Sequence, residues 1–209
     1  MQERDRIVAA ALAALGEKGI EGVTLRSVAD RLGVRHNTVR WHIESKARLF
    51  ELMSDEIIAG CTAAPLPDDW AERVFELSSR YRARLLHYRD GARLVAGVGT
   101  YEPATLDYAE VMISALRGSG ATAQVAAWAH FTILYFLLGI SQEEQAVDTV
   151  DPATKIDRAR YPTLWESSRY LGPSEFDARF RFGLQSILAR LRTDPAGGLM
   201  AAPRGGIRT

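Results

Sequence analysis

The stretch TLRSVADRLGVRHNTVRWHIESK, Thr24–Lys46, restricts the chain more than any other. Thr24 is a good N-cap for a helix over Leu25–Leu32, because its hydroxyl can accept from an amide left unpaired in the first turn. Val28, Ala29 and Leu32 then share one face of that helix. Gly33 allows a tight turn, and Val34 plugs it from the inside. A short helix over about His36–His42 follows, and Ser45 caps the next helix at Lys46. The order is cap, apolar triplet, glycine, apolar plug, polar-aromatic helix, cap, lysine. It describes two short helices around a turn, the second able to lie in a DNA major groove while the first crosses the backbone.

The side chains on the second helix suit that reading. Arg35, His36, Asn37, Thr38 and Arg40 are expected at its exposed face. Arginine reads guanine in a bidentate manner, asparagine can read adenine, and threonine can touch a thymine methyl or a phosphate. Arg26, Trp41, His42 and Lys46 are placed to reach phosphates on either side. Lys46 also sits in a first helical turn, whose free amides can meet a phosphate oxygen. The bland alternative is a solvated turn in a helical domain. Two isolated arginines would fit it; the complete spacing favours DNA.

Charge is consistent with this but does not carry it. The 209 residues contain 26 Lys or Arg and 26 Asp or Glu, so no global field attracts polyanions. Residues 1–50 hold nine basic against six acidic side chains, a mildly basic head on a mildly acidic body. The single cysteine, Cys61, excludes an internal disulfide and a Cys-rich zinc site, and reads as a small core residue. No stretch is expected to span a membrane, and the charged start MQERDR lacks an apolar signal core, so the protein is expected in the cytoplasm.

The remaining sequence is helical by periodicity. Ile7, Val8, Ala11, Leu12 and Leu15 mark a first helix, and Lys46 to about Thr62 a long one. Pro65-Leu-Pro67 breaks the pattern, and Asp68 can cap a helix from Asp69 to about Tyr88. Further helices are expected over Ala92–Ala96, Ala104–Arg117, Ala121–Gln145, Pro162–Leu171 and, capped by Ser174, on to Arg192. No segment alternates with period two. The expected fold is all-α: an N-terminal three-helix helix-turn-helix domain over residues 1–46, a larger helical ligand-binding and dimerisation domain over 47–192, and a disordered tail over 193–209.

The run GIEGVTLRSVADRLGVRHNTVRWHIESKARLFELM (Gly19–Met53) resembles the N-terminal domain of the TetR family of one-component transcriptional regulators. The trace Gly-x-x-Thr-x-Arg-x-x-Ala-x-x-Leu-Gly-Val, then Thr-x-x-Trp-His-x-x-x-Lys, matches without a gap. LLHYRDGARLVAG (Leu85–Gly97) and the spacing of Gly120, Ala126, Gly139, Glu143 and Gln145 resemble the regulatory domain of the tetracycline-repressor branch. By this resemblance Arg26, His36, Asn37, Thr38, Arg40, Trp41, His42 and Lys46 fall on positions used for DNA contact. His36, Asn37 and Arg40 replace that branch's glutamine, proline and tyrosine, so a different operator is expected.

The resemblance also implies a homodimer, in which the helices over 121–145 and 174–192 form a four-helix bundle with their mates. Both are apolar or small over more than half their circumference. Two heads would then meet half-sites of a palindromic operator. A small-molecule effector is expected in the body. Tyr81, Trp128, Phe131, Tyr135, Phe136 and Trp165 are candidate aromatic walls; Thr100, Tyr101, Glu102, His130 and Glu143 are candidate polar groups, with His130 by itself reading as a hydrogen-bonded core or interface histidine. Leu77 and Tyr81 fall where the branch has a ligand-anchoring asparagine and phenylalanine. The loop Leu94–Pro103 lacks its ligand histidine, and Glu143 alone is a poor magnesium site. A metal-free, largely aromatic or apolar effector other than tetracycline is therefore expected, with no cofactor. The four histidines are scattered, and no catalytic spacing or phosphate loop is present, which argues against an enzyme. The resemblance fits a repressor released by its effector; an activator of the same fold is the alternative.

Overall fold

Apolar residues at helical spacing dictate helices that can be stable only by covering one another's faces. The computed structural model describes residues 3–146 and 154–197, and in these ten α-helices and no strand are found. α1 (Glu3–Lys18) buries Ile7, Val8, Ala11, Leu12 and Leu15. It packs on α2 (Leu25–Leu32), α3 (His36–Ile43) and α4 (Lys46–Ile58). α4 also meets α5 (Trp70–His87), α6 (Gly91–Ala96) and α7 (Pro103–Arg117). It therefore belongs to the cores of head and body at once, and the boundary expected after Lys46 falls on its first residue.

α8 (Ala123–Ala146) packs against α5, α6, α7 and α10 (Phe176–Thr193), with α9 (Pro162–Ser167) before the last helix. α8 has 24 residues and is long and apolar enough, by length and composition, to cross a bilayer, contrary to the sequence expectation. In this fold it is a packing helix, with Ile133 and Leu137 but also His130 and Ser141 buried.

Local chemistry fixes where several elements begin. Asp69, not Asp68, caps α5: its carboxylate accepts from Ala71 N and Glu72 N, both at 2.9 Å. The Asp68 side chain is fully exposed and only 3.9 Å from Arg73. Ser174 does not cap α10; it lies in a 3₁₀ turn, Pro173–Glu175, ahead of that helix. α4 stops at Ile58, short of Thr62, because the chain leaves helical geometry at Ala59 and turns through Gly60 at φ 82°. Cys61 is buried, as expected, and burial pushes its thiol up to about 11. The expected tail begins with ordered residues. Thr193 ends α10, and a Cβ on Gly197 would meet Val125 at 2.7 Å. Its remainder, 198–209, lies outside the described residues, as does 147–153 in the connection after α8.

The turn between α5 and α6 joins three parts of the molecule. Asp90 adopts a left-handed conformation, and Gly91 follows where a Cβ would lie 2.4 Å from Leu85 O. Only glycine fits that approach. Gln145 on α8 donates to Leu85 O and Tyr88 O at 3.0 and 2.8 Å and accepts from Ala92 N at 3.2 Å. On the other side Asp90 accepts from Ile20 N at 2.9 Å, just beyond α1.

Removal of the true α5 cap by Asp69→Ala is expected to cost about 1 kcal/mol in urea unfolding, whereas Asp68→Ala should stay within about 0.5 kcal/mol.

Candidate DNA interface and effector cavity

The head is closed by reciprocal hydrogen bonds. Thr24 Oγ1 accepts from Ser27 N, and Ser27 Oγ accepts from Thr24 N, both at 2.9 Å. Gly33 takes the left-handed conformation, φ 67°, that ends α2 and starts the turn. Val34 is half-buried; the full plugs are Val39 and Ile43 on α3, one helical turn apart and both wholly buried. Anchoring α3 by those two residues turns its opposite face outward. His36, Asn37, Thr38, Arg40 and Trp41 are exposed, with Arg35 exposed at the N-cap; Arg26 and Lys46 are exposed beside them, and His42 is half-buried. The nine expected residues thus occupy one region at and around α3.

Their electrostatics suit a polyanion. Among the described residues no carboxylate lies within ion-pair distance of Arg26, Arg35, Arg40 or Lys46, whereas Arg31 nearby is held by Glu17 at 2.8 Å. Trp41 is 80% exposed, and its ring meets His42 edge-on at 4.6 Å, so neither is there to fill the core. Lys46 Nζ sits 5.0 Å over the Phe50 ring, which orients the stem and leaves the charge in solvent.

α3 meets α4 through an unusual corner. Glu44 has φ 66° and ψ −51°, and Ser45 N donates to Ile43 O at 2.7 Å across it. This is a tight three-residue turn that non-glycine residues rarely adopt. Ser45 Oγ then accepts from Arg48 N at 3.0 Å to start α4.

In the body a cavity of about 520 Å³ lies between α4, α5, α7, α8 and the segment after α6. Tyr81, Thr100, Phe131 and Tyr135 line it, as expected. Five other expected residues lie elsewhere. Phe136 faces Phe180 of α10, the rings parallel at 6.5 Å between centroids. Leu77, one turn before Tyr81, points into the core and is wholly buried. Trp128 lines a separate groove between α8 and α10 with Val125, Ile187 and Leu191. Glu143 is exposed and faces Arg179 at 3.7 Å. Trp165 is half-buried on α9, away from the lining. Glu102 is likewise engaged elsewhere, with Arg48 at 2.6 Å.

The lining also holds residues that sequence reasoning did not assign to it. Ser54 and Ile58, one turn apart on α4, form one wall; Tyr108 on α7 and Leu134 and Leu138 on α8 form others. Helical spacing does not distinguish such positions from ordinary core; only the packing shows that what they cover is a space. His130 is buried and lines the cavity, but hydrogen-bonds to no described residue, against the expectation of a satisfied core histidine. Burial alone holds its pKa below the usual histidine value, so the ring is neutral at pH 7. No ionisable acid, lysine or arginine lines the cavity, and no group of three or more His, Cys, Asp or Glu suited to a metal occurs among the described residues.

α4 is tied to this cavity by polar contacts. Asp55 accepts from Thr105 N, Thr105 Oγ1 and Ala104 N, at 2.8, 2.9 and 3.3 Å, at the N-terminus of α7. Arg48 bridges Glu51 and Glu102 at 2.7 and 2.6 Å. Arg84 of α5 donates to Ile57 O and Glu56 O, two carbonyls in the last turn of α4.

Comparison with known proteins agrees with this geometry. Residues 7–53 match the family model for bacterial regulatory proteins of the tetR family, and residues 64–194 match the tetracyclin repressor-like C-terminal domain. The class E tetracycline repressor protein of Escherichia coli is 32% identical over 187 residues, 88% of each chain. The crystal structure of a possible TetR family transcriptional regulator from Streptomyces coelicolor A3(2) superposes with a TM-score of 0.83 at 32% identity, covering 91% of this chain and 99% of that one. A TetR variant from Acinetobacter baumannii AYE, solved in complex with minocycline, gives 0.73 at 27% identity over 94% of this chain and 100% of its own. The chain belongs to the TetR family of transcriptional regulators, with a helix-turn-helix head and a tetracycline-repressor-like C-terminal domain.

Proposed function

We propose that this ligand-responsive regulator acts in the cytoplasm as a repressor, binding a palindromic operator as a homodimer and released by a neutral, largely aromatic effector. One observation carries the reading: a single helix, α4, begins at the corner next to the recognition helix and ends as a wall of the cavity. A molecule filling the cavity therefore touches the element that positions the DNA-reading head.

The dimer is assigned to α8 and α10. Phe131 and Tyr135 on α8 are 48% and 67% exposed, and Phe182 on α10 is 75% exposed. Phe131 and Tyr135 are in ring contact at 5.9 Å, and exposed apolar surface of this kind on these helices supports the assignment. Mating these faces, with heads about 34 Å apart, would place two recognition helices in successive major grooves.

Release follows from linkage. A ligand that binds better to the splayed arrangement shifts the population away from DNA. Asp55 and Arg48 couple the start of α7, and the glycine-containing segment before it, to α4. Movement of that segment around a ligand would tilt α4 and, with it, α3. The metal-free reading is supported by the lining, which offers one imidazole and no carboxylate. The names of relatives that bind tetracyclines do not transfer to such a lining.

Four outcomes are expected. Arg40→Ala relaxes operator specificity at one base pair by about 1–3 kcal/mol in binding to a panel of operator variants, while Lys46→Ala weakens all sequences alike and lowers the salt slope by about one per lost phosphate contact. Tetracycline with magnesium leaves the operator complex intact at low micromolar concentration in a mobility-shift titration; release there would refute the metal-free reading. Asp55→Ala leaves operator affinity within about twofold but raises the effector concentration for half-release by at least about fivefold, the lower end of typical coupling.

A further inference from the structure

The chain does not run off freely at the end of α10. Arg190 donates to Asp194 O and to the Asp194 carboxylate at 2.9 and 2.7 Å, and Gly197 N donates to Asp194 O at 3.2 Å. Asp194-Pro-Ala-Gly197 is thus a four-residue turn with aspartate first, proline second and glycine fourth, the residues such a turn favours at those places. A turn of this kind reverses the chain. Gly197 has φ 74°, and a Cβ there would lie 2.7 Å from Val125 Cγ2, so its backbone is laid directly against α8. The chain therefore leaves Gly197 beside α8 and directed back along α10, over the body.

In that direction lies the apolar groove between α8 and α10. Val125, Trp128, Ala129, Ile187 and Leu191 form its walls, Thr132 and Ser186 stand further along, and Gly197 itself belongs to the lining. Its volume is about 370 Å³. Trp128 is 47% exposed there, a large apolar surface for one groove to show. The charged residues of the lining, Arg190 and Asp194, hold each other, so the groove has little to attract a charged partner. The residues that follow Gly197 are Gly198, Leu199 and Met200, then Ala201, Ala202 and Pro203. Leu199 and Met200 lie two and three residues beyond Gly197, about 7 and 10 Å of extended chain. One turn of α10, from Leu191 to Ile187, is about 6 Å long. The apolar pair is within reach of both walls.

We propose that Leu199 and Met200 seat in the α8–α10 groove of their own chain, so that the segment after Gly197 is a strap across the ends of these two helices. Burial of two large aliphatic side chains against Trp128, Ile187 and Leu191 drives the docking. The turn at Asp194–Gly197 is already formed, and the loop left to close is only a few residues long, so the entropic cost is small. A second copy of the chain is the competing occupant. The rings assigned to the dimer, Phe131, Tyr135 and Phe182, are not part of this lining, and a strap tethered at the groove's edge acts at an effective concentration that a separate chain must match.

The test is disulfide trapping in the full chain, in which the one native cysteine, Cys61, is buried. Met200→Cys is combined with Thr132→Cys, at the groove, or with Gln185→Cys, which is exposed on α10 but outside the lining. Under mild oxidation, read by mass without reductant, the Thr132 pair is expected to close within one chain at least about fivefold faster than the Gln185 pair. Adding Leu199→Asp, which would bring a charge into the apolar seat, should erase that difference. Equal rates for the two pairs, or a rate indifferent to Leu199→Asp, overturn the proposal. A link formed mainly between two chains also overturns it and gives the groove to a second copy. A second readout needs no added cysteine: ending the chain at Gly197 should raise the acrylamide quenching of Trp128, taken as the difference from Trp128→Phe. Quenching unchanged by that truncation counts equally against the strap.

Discussion

A carboxylate on one helix closing the open end of another is the contact around which this molecule is arranged. The first amides of α7 have no partners within their own helix, and Asp55 of α4 supplies them. The positive end of the helix dipole and the negative carboxylate reinforce the hydrogen bonds. Because Asp55 lies one residue from Ser54, which lines the cavity, the same turn of α4 both seals α7 and faces the cavity. Arg84 fixes the far end of α4 by two carbonyls of its last turn, and Arg48 ties its first half to Glu102. Loss of any one contact leaves the others, but the grip on α7 is the one beside the cavity.

Much of this was legible in the sequence, for reasons that can be named. The head is short-range: cap, glycine and apolar spacing are set within a few residues, and Thr24, Gly33 and Ser45 all serve as their chemistry suggests. Its exposed face follows once Val39 and Ile43 are known to be buried. The cavity is long-range, and local pattern does not specify it. Helical periodicity reports that Leu77, Tyr81 and His130 face inward, but not whether a neighbour fills the space they face. Leu77 meets core, Tyr81 and His130 meet a void, and nothing local separates them. Trp128 lies three residues before Phe131, close enough to share its face and far enough to line a different groove. Asp68 and Asp69 are equivalent as caps until the path of the chain from Pro67 decides between them.

The two surfaces of α8 explain why it is apolar nearly all round. One side closes the body against α5, α6 and α7. Phe131 and Tyr135 line the cavity and are also substantially exposed, so the cavity opens toward the face assigned to the dimer. In the proposed dimer, the cavity and the interface would share these side chains. An interface built on that face would alter access to the cavity, and a molecule in the cavity would press on the interface.

The corner at Glu44 has a consequence for how such a device can move. Its backbone is held in a sparsely populated conformation by a turn only three residues long, with Ile43 sunk in the head's core on one side and Leu49 on the other. Such a joint has no slack. Flexible connections absorb motion, letting one element drift while its neighbour stays; a stiff corner converts a tilt of α4 into an equal tilt of α3. The recognition helix is in effect the short arm of a bell crank whose long arm ends at the cavity. Small displacements among the aromatic rings would therefore reach the DNA undiluted.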